Sequence, residues 1–480
     1  MKKHVGIIGA GIIGGLIADR LLHYDIQATI IEKNIDGGLE QSMSSSAIVH
    51  SGIDPKDGTL KAKLNQEGNE MMAELCKELE VRFRKTGAYM CAKNEAEEET
   101  LNYYLAQAQK RNISAYLVTK EELQKIEPNV SDKITKALAM PTTGVIYPME
   151  IITAALQRSI ANGLDAHFET EVLKINFVND KFEVITDKAE FKFDYLINCA
   201  GMFSDEIARM VDKEFPIYHK PKRGEYLIQD NKNPIVNSII YQVPTENGKG
   251  VLAVPTVHRN VLLGPNGVMQ DDRTDDSTHQ TDLKYVQDNL KNILKFIPDD
   301  IVRTYAGLRS TGNNNDFYIE YSKISKKMIN LACIDSPGFA SSPAIAKQVV
   351  TMLEAILQEE GFSLNERVDY NKKCPHYEKM IRATLQEQQA RIKKNSDYGE
   401  MVCRTELVTK GEIIASIKHL HGARDLSGVK FRTKAMTGTC QGACCEIETI
   451  KIIAEELNLD LSQIKRRGRD TFIIRGAHEK

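Results

Sequence analysis

Apolar residues near the start of the chain form one run, then recur at helical spacing, then form a second run. Val5 to Ile8 is a short β-branched run typical of a buried strand, and Leu16 to Leu22 continues at helical periodicity. Ala28 to Ile31 is the second strand-like run, and Glu32 follows it. The turn between the first strand and the helix reads Gly9-Ala10-Gly11-Ile12-Ile13-Gly14. The pattern therefore predicts a strand, a glycine turn, a helix and a second strand that ends in an acid.

This glycine turn has the spacing of a dinucleotide-binding site. Gly9 permits the tight turn, Gly11 lets backbone N–H groups approach a pyrophosphate, and Gly14 allows close packing of helix on strand. The amino terminus of the helix favours the phosphate charge. Glu32 lies 18 residues after Gly14, where a carboxylate can accept hydrogen bonds from ribose hydroxyls. The unit predicts NAD or FAD binding, with a glycine-rich turn of an unrelated α/β domain as the alternative.

Helical and strand-like segments continue to alternate along the chain. Thr59 to Leu79 has the apolar spacing of a long amphipathic helix, and Glu150 to Ala161 predicts another helix. Phe191 to Cys199 predicts a single apolar strand, and strands dominate from Gly224 to Gly264. The alternation indicates an α/β protein.

Length and composition limit the classes of protein that fit. A chain of 480 residues exceeds what one hydrophobic core serves, so two or three domains are expected. A formal net charge of −3 gives no sign of a nucleic-acid partner, and no apolar run is long enough for an integral membrane segment. The amino terminus lacks the cleavage pattern of a signal peptide, and nine unevenly spread Cys suggest chemistry more than disulfides. We therefore expect a cytoplasmic protein.

The segment after the first unit favours FAD over NAD. It consists of Ser42, Ser44 to Ser46, Ala47 to Asp54 and Gly58 to Leu64. Here the chain resembles the D-amino-acid-oxidase-like flavoproteins, in the branch with L-2-hydroxyglutarate oxidases and bacterial glycerol-3-phosphate dehydrogenases. The resemblance implies that this loop ends in a His beside the flavin ring, His50, and that Ser42 and Ser45 contact the cofactor. Ser45 stands where the family usually has Asn, which puts one such contact in doubt.

The resemblance also implies the domain organisation. We expect an α/β fold in which a discontinuous, Rossmann-like FAD-binding domain is interleaved with an α+β substrate domain, followed by a small, mainly helical C-terminal domain. The expected limits are 1–82, 146–215 and 325–360 for the FAD domain, 83–145 and 216–324 for the substrate domain, 361–397 for a linker and 398–480 for the C-terminal domain.

Two residues are candidates for catalysis. Oxidation of an alcohol requires removal of the hydroxyl proton, and histidine suits that role because its side chain ordinarily titrates near neutrality. His50 is the candidate. Arg309 offers a planar fork for the carboxylate or phosphate of a small anionic substrate. Arg223 and Tyr226 resemble a family segment at the edge of the substrate domain and are further substrate-binding candidates, with an ordinary strand entry as the alternative.

Further cofactor contacts are expected at two places. Ala200 and Gly201 follow the strand that the family places beneath the flavin. Pro343 suits a first helical position, so the preceding residues are expected to present backbone N–H groups to the reduced flavin. These residues are Gly338, Phe339, Ala340 and Ser341.

The substrate is less sharply defined than the cofactor. We favour sn-glycerol 3-phosphate over L-2-hydroxyglutarate because the C-terminal domain is typical of glycerol-3-phosphate dehydrogenase-like enzymes. An electron-accepting redox partner is expected as well. A different class, a non-catalytic flavin-binding electron-transfer or scaffold subunit, is the remaining alternative.

The C-terminal cysteines resemble a bacterioferritin-associated-ferredoxin-like (BFD-like) [2Fe–2S] domain. Cys403, Cys440 and Cys445 match three ligand positions of that domain, but Thr405 stands at the fourth. Because thiolates are the normal ligands, the expected result is a degenerate domain without a cluster. The alternatives are an altered cluster in which Cys444 substitutes, and zinc held by these Cys with His419 or His421.

Overall fold

The computed structural model describes residues 2–244, 250–377 and 379–474. Residues 475–480 of the predicted C-terminal domain lie outside this range, as do residues 245–249 of the strand-rich region. Within the described residues, no helix combines the length and apolar composition needed to cross a membrane.

The helices are α1 (Ile12–Leu21), α2 (Leu60–Glu78), α3 (Glu95–Lys110), α4 (Lys120–Ile126), α5 (Pro148–Ala161), α6 (Ser204–Arg209), α7 (Gln280–Leu290), α8 (Gly338–Glu359), α9 (Leu385–Lys394), α10 (Lys410–Lys418), α11 (Leu426–Thr433) and α12 (Glu446–Leu457). The strands are β1 (His4–Ile8), β2 (Gln27–Ile31), β3 (Ile48–Val49), β4 (Phe83–Arg84), β5 (Ala88–Ala92), β6 (Tyr116–Thr119), β7 (Lys136–Ala139), β8 (Gly144–Ile146), β9 (Asp165–His167), β10 (Val172–Val178), β11 (Lys181–Thr186), β12 (Glu190–Phe193), β13 (Tyr195–Asn198), β14 (Lys222–Gln229), β15 (Ile239–Gln242), β16 (Leu252–Pro255), β17 (Val261–Gly264), β18 (Val268–Met269), β19 (Ile301–Arg309), β20 (Tyr318–Tyr321), β21 (Met328–Ala332), β22 (Met401–Cys403) and β23 (Val408–Thr409).

The glycine turn belongs to a six-stranded sheet with the order β20–β21–β13–β1–β2–β9. Neighbouring strands in this sheet are parallel, except that β20 and β21 are antiparallel. Val5 and Ile7 of the central strand β1 are fully buried, and α1 packs against both α5 and α8. The carboxyl ends of β1, β2 and β13 therefore meet at one edge, where parallel α/β sheets bind ligands. The α/β class predicted from the sequence is confirmed.

A three-stranded antiparallel sheet, β10–β11–β12, contributes to a second core beside the first sheet. Phe182 and Phe193 pack there with Ile8. The prediction of one strand from Phe191 to Cys199 is wrong, because the chain passes from β12 in this sheet to β13 in the first. Asp194 lies at the break, and its carboxylate accepts the backbone N–H of His4 at 2.9 Å. The side chain thus replaces a ladder bond where the chain changes sheets.

A nine-stranded sheet forms the second half of the molecule. Its order is β18–β14–β17–β16–β15–β5–β7–β6, and β19 pairs with β14. The antiparallel register of β14 and β19 sets Lys222 opposite Arg309. Strands β14 to β17 account for the strands expected between 224 and 264 within the described residues.

The C-terminal part has its own hydrophobic core. Helices α10 to α12 and the hairpin β22–β23 enclose Ile413, Val429 and Ile453, each fully buried. Thr409 caps α10 by accepting the backbone N–H of Glu412 at 3.3 Å, and the Glu412 carboxylate accepts the N–H of Thr409 at 2.8 Å. A Thr followed three residues later by a Glu is the sequence signature of such a capping box, so the start of α10 is predictable from the sequence. The residue limits of all the predicted domains stay a prediction.

Candidate active site

A cavity of about 1300 Å³ extends from the edge of the first sheet to the nine-stranded sheet. Its lining includes most of the predicted site residues, drawn from distant parts of the chain: Gly9, Gly11, Glu32, Ser42, Ser45, His50, Ala200, Gly201, Tyr226, Arg309, Gly338 and Phe339. The fold thus brings the glycine turn, the serine-rich loop and the proposed catalytic residues to one space. Gly14, Arg223, Ala340 and Ser341 are not part of this lining.

The glycine turn has no room for side chains. Gly9 has φ +98°, and a Cβ there would lie 2.5 Å from the carbonyl oxygen of Cys199. A Cβ on Gly14 would lie 2.0 Å from the carbonyl oxygen of Gly9, so α1 starts directly against the end of β1. At Gly11 a Cβ would meet only the Ser42 hydroxyl, at 3.2 Å, on the side of the cavity. These residues fit the pyrophosphate of a dinucleotide.

Glu32, at the end of β2, binds the backbone of this turn. Its carboxylate accepts the N–H of Ala10 at 2.8 Å and that of Asn34 at 2.9 Å. Burial raises the pKa of Glu32, and the two N–H donors oppose that shift. Glu32 also lines the cavity, at the end of β2, where an acid in such a turn can accept hydrogen bonds from ribose hydroxyls.

The serine-rich loop follows the contour of the cavity. The Ser42 hydroxyl accepts the N–H of Ile12 at 3.1 Å, which ties the loop to the first turn of α1. The Ser45 hydroxyl accepts the N–H of Ala47 at 3.0 Å. At the position where the family usually has Asn, the serine therefore shapes the backbone that leads to His50.

His50 is held by residues far away in sequence. Its carbonyl oxygen accepts side-chain N–H groups of Asn65 and Asn69, both at 3.0 Å. Its Nδ1 lies 3.1 Å from the Tyr241 hydroxyl, and burial raises the pKa of Tyr241, so that the phenol stays protonated. Sequence reasoning missed Tyr241, which carries no motif; only the pairing of β15 with β5 brings it to His50.

Arg309 and Lys222 form a cationic pair on neighbouring strands. Both side chains line the cavity, and neither has a carboxylate of another described residue within 4 Å. The cavity-lining Asp335, which pairs with Lys61 at 2.7 Å, acts on both cations from a greater distance. A Cβ on Gly224 would lie 2.7 Å from Arg309 Nη2, and one on Gly267 would lie 2.5 Å from Lys222 Cε. The two glycines thus make room for the two cations. Burial and the charge of Arg309 both lower the pKa of Lys222.

Arg223 and Tyr226 have different surroundings from each other. The buried Arg223 guanidinium donates to Asp275 at 3.1 Å and to Asp282 at 3.0 Å, and its Nε lies 3.3 Å from Glu225. It is thus engaged by three carboxylates. Tyr226 lines the cavity and stacks on Tyr305 with ring centroids 4.9 Å apart.

The helix start predicted at Pro343 is wrong. Helix α8 begins at Gly338, so Pro343 lies inside it and supplies no N–H to the carbonyl of Phe339. The Ser342 hydroxyl donates to that carbonyl at 2.8 Å and replaces the missing bond. Gly338 and Phe339 line the cavity, whereas Ala340 and Ser341 are fully buried. A Cβ on Gly68 of α2 would lie 2.1 Å from the Ala340 carbonyl oxygen, so Ala340 lies against that helix.

The C-terminal thiols lie around the hydroxyl of Thr405. Thr405 Oγ1 lies 3.5 Å from Cys403 Sγ and 3.7 Å from Cys440 Sγ, so a hydroxyl occupies the space between two thiols. Burial and the adjacent Cys403 thiol raise the pKa of Cys445, while Cys444 is exposed. Cys445 contacts Cys403, and Cys440 contacts both Thr405 and Cys444, so the four thiols and the Thr405 hydroxyl form one group.

The zinc alternative finds no support in the positions of the two histidines. Among the described residues, the one group of at least three potential metal ligands that lie close together is Glu225, His279 and Asp282, which contains no Cys. His421 lies against Asp36, with 2.7 Å between Nε2 and Oδ1. His419 packs on the ring of Tyr377.

Two family models match successive parts of this chain. The model of the FAD dependent oxidoreductase family matches residues 4–352, and that of the BFD-like [2Fe-2S] binding domain matches residues 401–455. A glycerol 3-phosphate dehydrogenase of Caloramator mitchellensis is 35% identical over 475 residues, 98% of each chain. A glycerol 3-phosphate oxidase of Mycoplasma genitalium is 30% identical, covering 76% of this chain and 97% of that one.

A solved structure extends the likeness to three dimensions. Dithionite-reduced L-alpha-glycerophosphate oxidase from Mycoplasma pneumoniae with FAD bound superimposes with a TM-score of 0.72 at 25% identity, covering 78% of this chain and 98% of that one. The glycine turn, Glu32 and the cavity agree with this likeness. The chain therefore belongs to the family of FAD-dependent oxidoreductases and carries a BFD-like domain at its C-terminal end.

Proposed function

We propose that this protein is a dehydrogenase that oxidises the hydroxyl-bearing carbon of sn-glycerol 3-phosphate. The observation that carries the proposal is the pair Lys222 and Arg309, two cations on adjacent strands that line the cavity without a carboxylate partner among the described residues. A phosphate group carries up to two negative charges on one centre, which suits two adjacent cations. The similarity to the glycerol 3-phosphate dehydrogenase of Caloramator mitchellensis and the glycerol 3-phosphate oxidase of Mycoplasma genitalium supports the same substrate.

L-2-hydroxyglutarate is matched less well by this pair. Its two charges lie at opposite ends of the molecule, so adjacent cations would hold one carboxylate and leave the other to be bound elsewhere. Arg223, the other candidate cation, is engaged by Glu225, Asp275 and Asp282. The charge distribution therefore favours a phosphate monoester.

His50 is the proposed base. The chemistry that FAD supplies when bound is acceptance of a hydride from the hydroxyl-bearing carbon. If Nδ1–H of His50 donates to the Tyr241 oxygen, Nε2 carries the lone pair and can take the hydroxyl proton of the substrate. Arg309 and Lys222 hold the phosphate, so the carbon that loses hydrogen stays in one position. The substrate becomes a ketone: its hydroxyl proton passes to His50, and the hydride from its carbon is the one that FAD would accept.

The electrons leave the protein through a redox partner in this proposal, and a cytoplasmic location is part of it. The finer assignments of Ser42, Ser45, Gly338 and Phe339 to FAD, and of Tyr226 to substrate, are also proposals, supported by their positions in the cavity lining.

The test is anaerobic reduction of the bound flavin by sn-glycerol 3-phosphate, glycerol and L-2-hydroxyglutarate. Only the first should reduce the flavin rapidly. Lys222→Met should weaken sn-glycerol 3-phosphate binding about tenfold or more while FAD content stays the same. Lys220→Met is the matched control, because Lys220 is exposed and pairs with Asp271 at 3.4 Å.

The other outcomes separate the alternatives. Faster reduction by L-2-hydroxyglutarate would assign that substrate instead. Reduction by neither anion would favour the non-catalytic electron-transfer subunit.

A further inference from the structure

A buried ionic cluster joins the C-terminal domain to the loop that follows Glu32. Asp36 lies on the loop, and Arg432 and His421 belong to the C-terminal domain; their exposed fractions are 3%, 3% and 5%. Arg432 donates through both terminal nitrogens to the two Asp36 oxygens, with Nη2 at 3.0 Å from Oδ1. His421 Nε2 lies 2.7 Å from the same Oδ1, and its ring stacks on Phe168 at 4.6 Å.

The two C-terminal residues are held firmly within their own domain. Arg432 Nε donates to the carbonyl of His421 at 3.1 Å, and Nη1 donates to the carbonyl of Gly428 at 3.1 Å. The fork of Arg432 is therefore preorganised before it meets Asp36. A rigid fork binds a carboxylate with less loss of conformational freedom than a flexible ammonium does.

Asp36 in turn leads directly into the cofactor loop, residues 37–46. Its Oδ1 accepts the N–H of Gly37 at 2.8 Å. A Cβ on Gly37 would lie 2.9 Å from the carbonyl oxygen of Ala10, so the loop begins in close contact with the glycine turn. Further along, Ser42 accepts the N–H of Ile12. A movement of Asp36 would therefore be transmitted to both contacts of the loop with the FAD site.

The charges of the cluster depend on docking of the domain. Burial by itself would raise the pKa of Asp36, but the charges and hydrogen bonds of Arg432 and His421 outweigh it and hold the pKa well below its ordinary value. Without the C-terminal domain, Asp36 would lose the contacts that fix it. The thiol pocket takes no part in this cluster, so the docking contact is complete while the ligand set at Thr405 is not.

We propose that the C-terminal domain acts as a clamp on the cofactor loop 37–46, in which Arg432 and His421 are positioning residues that hold Asp36 and thereby strengthen FAD binding. The clamp goes beyond the proposed substrate and does not depend on it. It gives the domain a function that needs no metal cluster.

The experiment compares full-length apoprotein variants by titration with FAD. Arg432→Met and Asp36→Asn should each weaken FAD binding about tenfold, at a temperature where both are fully folded by circular dichroism. The double variant, Asp36→Asn with Arg432→Met, should bind FAD no more weakly than either single variant, because both substitutions remove the same contact. Arg424→Met is the control, since Arg424 is exposed on the same domain, and its FAD affinity should stay within twofold.

A second readout separates a clamp from a residue that only stabilises the fold. Because coupling between two sites is reciprocal, FAD should slow hydrogen exchange in α11 of the wild-type protein and have less effect in Arg432→Met. If Arg432→Met does not fold, Arg432→Lys and the double variant supply the same two measurements. FAD affinity within twofold of wild type in folded cluster variants, or exchange in α11 that does not respond to FAD, would overturn the proposal.

Discussion

At the scale of single residues, the reactive groups are set by neighbours that are remote in sequence. Asn65 and Asn69 on α2 bind the carbonyl of His50, and Tyr241 on β15 faces its Nδ1. The backbone and the ring of His50 are therefore fixed by two separate elements. Such support lets a side chain keep one orientation toward a substrate.

We expect His50→Ala to slow reduction of the bound flavin by sn-glycerol 3-phosphate about 10²- to 10⁴-fold, because the base is lost. FAD content should not change, since His50 is separate from the glycine turn. Stopped-flow absorbance at saturating substrate measures the rate. His23→Ala serves as the control, because the His23 ring packs on Tyr370 and does not line the cavity. A normal rate in His50→Ala would remove the base assignment.

Arg309→Ala should act mainly on substrate binding. Loss of the planar fork is expected to raise the dissociation constant for sn-glycerol 3-phosphate about tenfold or more, with a smaller effect on the limiting rate of flavin reduction. Arg309→Lys keeps the charge without the fork and should be intermediate. The dependence of the reduction rate on substrate concentration separates the two effects. Unchanged binding in both variants would contradict the anion-binding role.

At the scale of elements, a buried ion pair fixes the helices behind the FAD site. Arg158 on α5 donates to Asp19 on α1 through Nε at 2.8 Å and Nη2 at 2.6 Å. The exposed fractions are 2% and 4%, so the pair is shielded from water. Because α1 begins at the glycine turn, this bidentate contact also fixes the direction of that helix relative to the cofactor.

Asp19→Asn should lower the free energy of unfolding by about 3 kcal/mol, because it removes the bidentate partner of the buried Arg158 and leaves only the half-exposed Glu78 carboxylate at 3.7 Å. The double variant Asp19→Leu with Arg158→Met should lose less of the free energy of unfolding, because it leaves no buried charge. Denaturant unfolding followed by circular dichroism gives both values. Asp25→Asn is the control: its exposed pair with Lys2 should contribute less than about 1 kcal/mol. Equal losses for Asp19→Asn and Asp25→Asn would refute the argument.

At the scale of the whole molecule, the C-terminal domain has a hydrophobic core and a docking contact of its own, and it carries Thr405 at one of the four positions where a Cys ligand is expected. Ile413 and Ile453 are fully buried, so the hydrophobic core forms from apolar side chains alone. Thr405 bridges Cys403 and Cys440 as a hydrogen-bonding group. The domain can therefore persist without a metal centre.

We expect the native protein to hold little or no [2Fe–2S] cluster, since one thiolate ligand is missing. Thr405→Cys should restore binding if the loops keep the family geometry, and Thr405→Ser, which retains the hydroxyl, should not. Anaerobic iron and sulfide analysis with EPR of the reduced state gives the answer, before and after reconstitution. A full cluster in the native protein would make Cys444 or an oxygen the fourth ligand. If the Thr405→Cys variant also held no cluster, the loops themselves would have diverged from the family geometry.

The interdomain cluster predicts a dependence of stability on pH. The folded-state pKa of Asp36 lies below its ordinary value of 3.8, so as pH falls below that value the unfolded chain takes up a proton that the folded chain resists. The stability that the Asp36 carboxylate contributes is thus present above about pH 4 and lost toward acid. Unfolding free energies between about pH 3 and 5 should fall more steeply for wild type than for Asp36→Asn. Equal slopes of unfolding free energy against pH in the wild type and Asp36→Asn would contradict this prediction.

The sequence by itself determined the cofactor class and much of the local structure. Gly9, Gly14 and Glu32 specify the dinucleotide turn because their roles depend on backbone geometry over one short segment. The helices α2 and α10 were likewise predictable, since apolar spacing and a capping box are local signals. The resemblance to the flavoprotein family, carried by the serine-rich loop and the spaced cysteines, supplied the remaining domains.

Only the tertiary structure decided which residues meet. The register of β14 and β19 places Lys222 opposite Arg309. The next residue, Arg223, faces the other side of the sheet, because successive strand residues alternate, and it binds three carboxylates there. Tyr241 reaches His50 in the same way, and Asp36 meets Arg432 across 396 positions of sequence. Such pairings depend on strand register and domain docking, which no local pattern of residues encodes.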